Sequence, residues 1–163
     1  MAASQSAQTQ VSPMPQNSDP ITYLPLPDSL HAAVEEAISE TFNIVESHSE
    51  PFASNFSLPD NERVTLVVKK AVEAYEKEKK LSQVSVLSSQ GAVFKGTWKS
   101  GEKNDTLIVP LTVGHIKVTA RDADGKETKL DWHWKNAVFV PRHTLFTIEG
   151  GHKIGAVIIQ FKR

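Results

Sequence analysis

The stretch Asn136–Gly151, NAVFVPRHTLFTIEGG, reads as strand, corner, strand and turn. Ala137 to Val140 is an apolar β-run. Pro141 ends it, because proline lacks the amide hydrogen that a central ladder needs. Leu145 to Ile148 forms a second run, and Gly150-Gly151 is a turn whose residues reach positive φ at no steric cost. Arg142 and His143 sit at the corner between the two strands. A histidine just after a strand–proline corner suits a metal ligand or a polar barrel rim. The rest of the chain has to decide between them.

Outward from this stretch the apolar period is two. The last run, IGAVIIQF (Ile154–Phe161), is apolar on both faces, so it belongs inside a sheet or an interface and not at an open edge. TLIVPLTVG (Thr106–Gly114) has the same character and reads as a covered central strand. Between them lies a hairpin, in which Ile116, Val118 and Ala120 alternate with His115, Lys117 and Thr119 before Asp122–Gly125 turns the chain. The returning strand puts Leu130, Trp132 and Trp134 on one face and His133 on the other. Upstream, Val84 and Val86 share a face, and AVFKGTW begins a new strand after Gly91. About eight strands, with turn signals at roughly eight- to twelve-residue spacing, call for a sandwich or barrel.

The N-terminal half is built differently. All eight glycines lie at or beyond Gly91, while seven of the nine prolines lie at or before Pro59. Residues 1–20, rich in Ser, Gln, Pro and Asn, have too little to bury and are expected to be a disordered tail. Residues 21–82 form an extended arm, ITYLPLP, followed by two amphipathic helices. The first is capped by Asp28 or Ser29 and buries Leu30, Val34, Ile38, Phe42 and Val45. The second is capped by Asp60 and buries Val64, Val67, Val68, Ala71, Val72 and Tyr75. Its exposed side carries the i,i+4 pairs Glu73–Lys77 and Glu76–Lys80. Residues 83–163 are the β-rich part.

Composition excludes several classes. A chain of 163 residues is one domain's worth, and a net charge of −1 offers no basic surface for nucleic acid. There is no cysteine, hence no disulfide, thiolate metal site or cysteine nucleophile. No apolar run approaches the roughly 20 residues of a membrane span, and the first residues lack the basic start and apolar centre of a secretory signal. Cytoplasmic is the default location. No Gly-Xaa-Ser-Xaa-Gly elbow, P-loop or dinucleotide fingerprint is present.

From Gly91 to Lys162 the order of strands and turns resembles a cupin. Val113-Gly114 stands at the family's first glycine turn, Lys135-Asn136 at its Gly-Asp step, and Val138–Pro141 at its strand–proline corner. The likeness covers roughly the last 75 residues and implies a small jelly roll, often dimerised, frequently with a ligand in its mouth. Metal-dependent cupins carry two histidines one residue apart and then a glutamate before the first glycine turn. Here Trp98 to Pro110 reads WKSGEKNDTLIVP, without histidine and with only Glu102 and Asp105 as oxygen ligands. The family's later histidine falls where this chain has Leu145 and Phe146.

The sequence therefore reads as an α+β protein: two helices packed on an antiparallel β-barrel or jelly roll that is a degenerate, metal-free cupin. The function expected is a non-catalytic binding or assembly module, homodimeric, with no cofactor and with a small-molecule ligand or protein partner. The alternative is a small-molecule enzyme of isomerase, lyase or dioxygenase type, acting in the barrel mouth on a small anionic metabolite. Arg142, His143, His133, Trp132 and Trp134 are the candidate mouth residues. In the enzyme reading His133 or His143 does acid–base work and Arg142 holds the charge. Were a metal bound, His115, His133 and His143 would be its ligands. Because each helix has a stripe only one face wide, a chain beginning at Gln83 is expected to aggregate. A soluble, folded monomer of that fragment, seen by size exclusion, would refute the packing of helices on the sheet.

Overall fold

The computed structural model describes residues 20–49, 53–112 and 114–162. The expected tail falls, but for Pro20, outside the described residues. The chain runs β1 (Thr22–Pro25), α1 (His31–Ser47), β2 (Ser54–Phe56), α2 (Glu62–Lys79), β3 (Ser85–Lys95), β4 (Thr97–Lys99) and β5 (Asp105–Leu111). It continues through β6 (Ile116–Arg121), β7 (Glu127–Trp132), β8 (Asn136–Val140), β9 (Leu145–Ile148) and β10 (Lys153–Lys162). These ten strands form two antiparallel sheets, ordered β1-β8-β5-β10-β3-β2 and β4-β9-β6-β7. The sheets face one another without closing, so the expected barrel of about eight strands is an open jelly-roll sandwich. The two extra strands, β1 and β2, come from the N-terminal arm and from the segment between the helices.

Three layers result, with two cores. Helices α1 and α2 cover the outer face of the six-stranded sheet, where Val34, Val67, Ala71, Leu107, Phe139, Ile159 and Phe161 meet. The four-stranded sheet covers the inner face, where Phe94, Ile108, Trp132, Val138, Phe146 and Ile158 meet. The two-faced apolar strands are where their composition requires. β5 is buried at all seven positions, and β10 runs between β5 and β3.

Several local expectations change. Asp28 and Ser29 do not cap α1; they belong to a 3₁₀ turn, Asp28–Leu30, that leads into it. Asn61, not Asp60, caps α2, its side chain accepting from the Val64 amide. Glu73 pairs with Lys70 one turn earlier at 2.7 Å, and Glu76 accepts from the Val84 amide at 3.0 Å. Phe42, assigned to the buried stripe of α1, is 53% exposed.

Glycine 91 does not begin a strand. β3 runs straight through it, paired with Val157 of β10 on one side and Phe56 of β2 on the other, and the Phe56 ring lies over this backbone position, where an added Cβ would clash with it. Gly155 does the same for α1. A Cβ there would meet Val45 Cγ2 at 2.6 Å and the Leu111 carbonyl at 3.3 Å. The helix thus approaches the sheet so closely here that an added methyl would have to displace Val45. Gly155→Ala is expected to cost about 1–3 kcal/mol of stability, the usual range for overpacking, measured by urea denaturation. An unchanged midpoint would mean that α1 sits farther from β10.

Candidate functional site

The mouth expected to hold a ligand is the end of the sandwich where β4 finishes and β9 begins. It is closed. Ser100 Oγ donates to the Pro141 carbonyl at 2.8 Å and accepts from the Thr144 amide at 2.9 Å. Thr144 Oγ1 also donates to the Pro141 carbonyl at 2.9 Å, and the Ser100 amide donates to the Thr144 carbonyl at 2.8 Å. Both side chains are buried. Beneath this clasp the rings of Trp98 and Phe146 stack at 5.4 Å, and Phe94 lies edge-on to Trp98 at 4.8 Å. Trp132 joins the same cluster, 5.5 Å from Phe146, and is 1% exposed. The space between the sheets is thus packed with rings.

The proposed mouth residues scatter. Arg142 and exposed His143 lie on the turn outside the clasp, with His143 at φ 61° and its amide donating to the Gly101 carbonyl. Trp132 is inside the sandwich. Trp134 stands in the turn after β7 and packs against the helix-side core, so the two indoles do not share a face. The break comes from β7 ending at Trp132, which releases the next residues from alternation. Nor do three histidines converge: β6 and β9 run antiparallel, so His143, before β9, is at the opposite end of the small sheet from His115, before β6.

His115 and His133 do meet, at the far end of the hairpin, with ring centroids 4.3 Å apart. The β6–β7 register pairs Lys117 with Asp131 and Ile116 with Trp132, so the two histidines come next in line. A hydrogen bond of 2.8 Å joins His115 Nδ1 to Asp131 Oδ2, and Lys117 Nζ lies 3.4 Å from the other carboxylate oxygen. The Asp131 amide, on the free edge of β7, donates to the Tyr23 hydroxyl at 2.9 Å, so β1 pins this strand end. On the other side His133 stacks on Trp134 at 5.3 Å, and His31 of α1 meets Trp134 edge-on at 4.7 Å.

Hydrogen-bond partners assign the two imidazoles opposite roles. Asp131 accepts only, so in the neutral form of His115 the proton is on Nδ1 and Nε2 has the lone pair. His133 Nδ1 accepts from the Lys135 amide at 3.3 Å, so its proton is on Nε2. The pair therefore presents one base and one donor. Burial, then the charges of His115, Lys135 and His31, hold His133 below its ordinary pKa, with Asp131 pulling upward. Partial burial pushes the Asp131 carboxyl up, but the hydrogen bonds and charges of His115 and Lys117 outweigh it and leave the pKa lowered. The sequence singled out both histidines but not Asp131, Lys117 or Tyr23. Asp131 was readable: His115 and His133 stand nine residues either side of Asp124, and Lys117 and Asp131 seven, within one hairpin.

No protein-family model matches the sequence, and no curated protein sequence matches it significantly. Solved structures do share its fold. A prolyl-4-hydroxylase from Pseudomonas putida superposes with a TM-score of 0.60 at 10% identity, over 88% of this chain and 91% of that one. A prolyl hydroxylase from Trichoplax adhaerens, in complex with a hypoxia inducible factor peptide fragment, gives 0.61 at 9% identity over 88% and 82%. SnoK, a non-heme alpha-ketoglutarate-dependent carbocyclase from nogalamycin biosynthesis, gives 0.56 at 14% identity over 87% and 79%. The chain shares the fold of these enzymes, a jelly roll of two facing antiparallel sheets. These neighbours overturn the expectation of a non-catalytic binding or assembly module, since the architecture shared over nearly the whole chain is one that enzymes use.

A non-heme iron site takes two imidazoles and a carboxylate on one face of the metal. No group of three or more His, Asp or Glu side chains that fits a metal occurs among the described residues. Trp98, Ser100, Thr144 and Phe146 occupy the mouth instead, so the residues present do not fit that metal.

The histidine pair has a measurable signature. By NMR, His133 should titrate below 6.5. His115→Gln removes a neighbouring cation and should raise that midpoint, whereas Asp131→Asn removes the one upward influence and should lower it. With a folded pKa below the unfolded one, the unfolded state binds more protons as pH falls through 6.5 toward the folded value. His133 therefore favours the native state above 6.5, and that contribution is lost as pH falls through the folded midpoint. A His133 midpoint at or above 6.5 would contradict the assignment.

Proposed function

We propose that the protein is a small-molecule enzyme of the proton-transfer class, an isomerase or lyase, acting on a small anionic carbonyl compound at the His115–Asp131–His133 cluster. The observation that supports it is the complementary pair of imidazoles. Asp131 orients His115, as a carboxylate orients the histidine of a catalytic triad, and leaves Nε2 as the base. His133, held neutral at physiological pH by its depressed pKa, offers an Nε2–H donor. Such a neutral imidazole can polarise a carbonyl.

In this reading His115 Nε2 takes a proton from the carbon next to the carbonyl. The carbonyl oxygen, gaining negative charge, is held by the His133 Nε2–H, and the proton returns at a neighbouring position or a leaving group departs. Lys117 and Lys135, flanking the pair, supply the positive field for an anionic substrate. Trp134 gives the site an apolar wall. The oxygenase branch of the enzyme reading needs a facial triad that these residues do not provide.

The test is solvent-deuterium incorporation. The full chain is incubated in D₂O with a panel of 2-oxo and 3-oxo carboxylates, and exchange at carbon is followed by proton NMR. At least one member should exchange above the buffer rate. His115→Gln should abolish that exchange, and Asp131→Asn should slow it by about 10²-fold or more, as losing an orienting carboxylate does elsewhere. Exchange that survives His115→Gln unchanged, or is absent across the panel, defeats the proposal.

A further inference from the structure

A cleft of about 370 Å³ lies between the C-terminal half of α1 and the sheet end where β5 finishes and β10 begins. We propose that it binds a small monocarboxylate with an apolar body, such as an aryl or branched-chain acid. The site is independent of the histidine pair and of the reaction proposed there.

Its walls are apolar: Ile38, Phe42 and Val45 from the helix, Leu111 and Ile116 from the strands. Gly155 makes the floor, and its missing Cβ is what lets Val45 approach. Two features are unexplained by folding alone. Phe42 lines the cleft with half its surface in solvent, although it continues the buried stripe of α1. Thr112 also lines it; this residue is 7% exposed, and its hydroxyl has no partner among the described residues. A buried hydroxyl left without a partner costs about 1–3 kcal/mol, which a ligand oxygen would recover once the Thr112 side chain turns its hydroxyl toward the cleft.

The polar anchor is at the rim. His152 and Lys153 stand there against a single carboxylate, Glu46. Lys153 Nζ donates to the Glu46 main-chain carbonyl at 2.6 Å, which fixes the ammonium at the end of α1. That bond uses one of its three donors. An anchored ammonium with unused donors, above an apolar wall, is the recognition pattern for a carboxylate on a hydrophobic body. The volume suits a ligand of one ring or one short branched chain.

The test is an NMR titration of the ¹⁵N-labelled full chain with phenylacetate, and with 2-phenylethylammonium as the cation of matched size. Phenylacetate should give saturable amide shifts at Thr112, Gly151, Lys153, Gly155 and the Phe42–Glu46 turn. The ammonium compound should give none that saturate. Lys153→Gln should weaken phenylacetate binding about tenfold, the loss expected for one charge-assisted hydrogen bond, while Lys153→Arg should retain it. The near-isosteric Thr112→Val should also weaken binding while leaving the rest of the spectrum folded. Absence of saturation, equal binding of the cation, or unchanged affinity in Lys153→Gln or Thr112→Val would overturn the proposal.

Discussion

The architecture depends on one constraint: the two central strands of the large sheet are apolar on both faces. β5 and β10 lie side by side, and a strand with no polar face needs cover above and below. The four-stranded sheet supplies one cover and the helix pair the other. Tyr75 shows how closely the second cover is fitted. Its ring stacks on Phe161 at 4.3 Å and 5°, tilts over Phe139 at 5.6 Å, and its hydroxyl reaches Asp105 at 3.3 Å. The helices are held to each other at their outer side by Arg63 with Glu36 and by Asn61 with Glu40.

The same packing explains why the sandwich interior is unsuited to a ligand. Once Phe94, Trp98, Trp132 and Phe146 fill the gap between the sheets, the Ser100–Thr144 clasp can seal the end without burying an unpaired hydroxyl of either residue. Solved structures with the same fold include hydroxylases and other enzymes, yet the residues at this mouth are rings and hydroxyls. The polar chemistry is instead at the opposite end of the small sheet. There the hairpin of β6 and β7 presents His115, Lys117, Asp131 and His133 on its outer face, and Tyr23 of β1 ties down its free edge.

That placement was partly legible in the chain. The alternation of Ile116, Val118 and Ala120 with His115, Lys117 and Thr119, closed by Asp122–Gly125, specifies a hairpin, and a hairpin's register follows from its turn. Gly125, at φ 83°, is the residue on which the turn depends. The register alone places Lys117 opposite Asp131. The error with Trp132 and Trp134 came from extending alternation two residues past the end of the ladder.

By itself the sequence determined the two helices, the central position of β5 and β10, the hairpin, and a β-rich half of sandwich or barrel type; the jelly roll was implied by the resemblance to cupins. The first four follow from local period and from which faces are apolar, and none of them depends on distant partners. It did not determine that the arm Thr22–Pro25 and the segment Ser54–Phe56 would become sheet strands, that Gly91 would lie under Phe56, or that Phe42 would stand at a cleft. Nor did it show that His143 stands apart while His115 and His133 meet. Those outcomes were decided only by tertiary structure. Edge pairing, ring-on-glycine packing and side-chain meetings depend on how strands far apart in sequence are ordered in a sheet, and local pattern carries no record of that order.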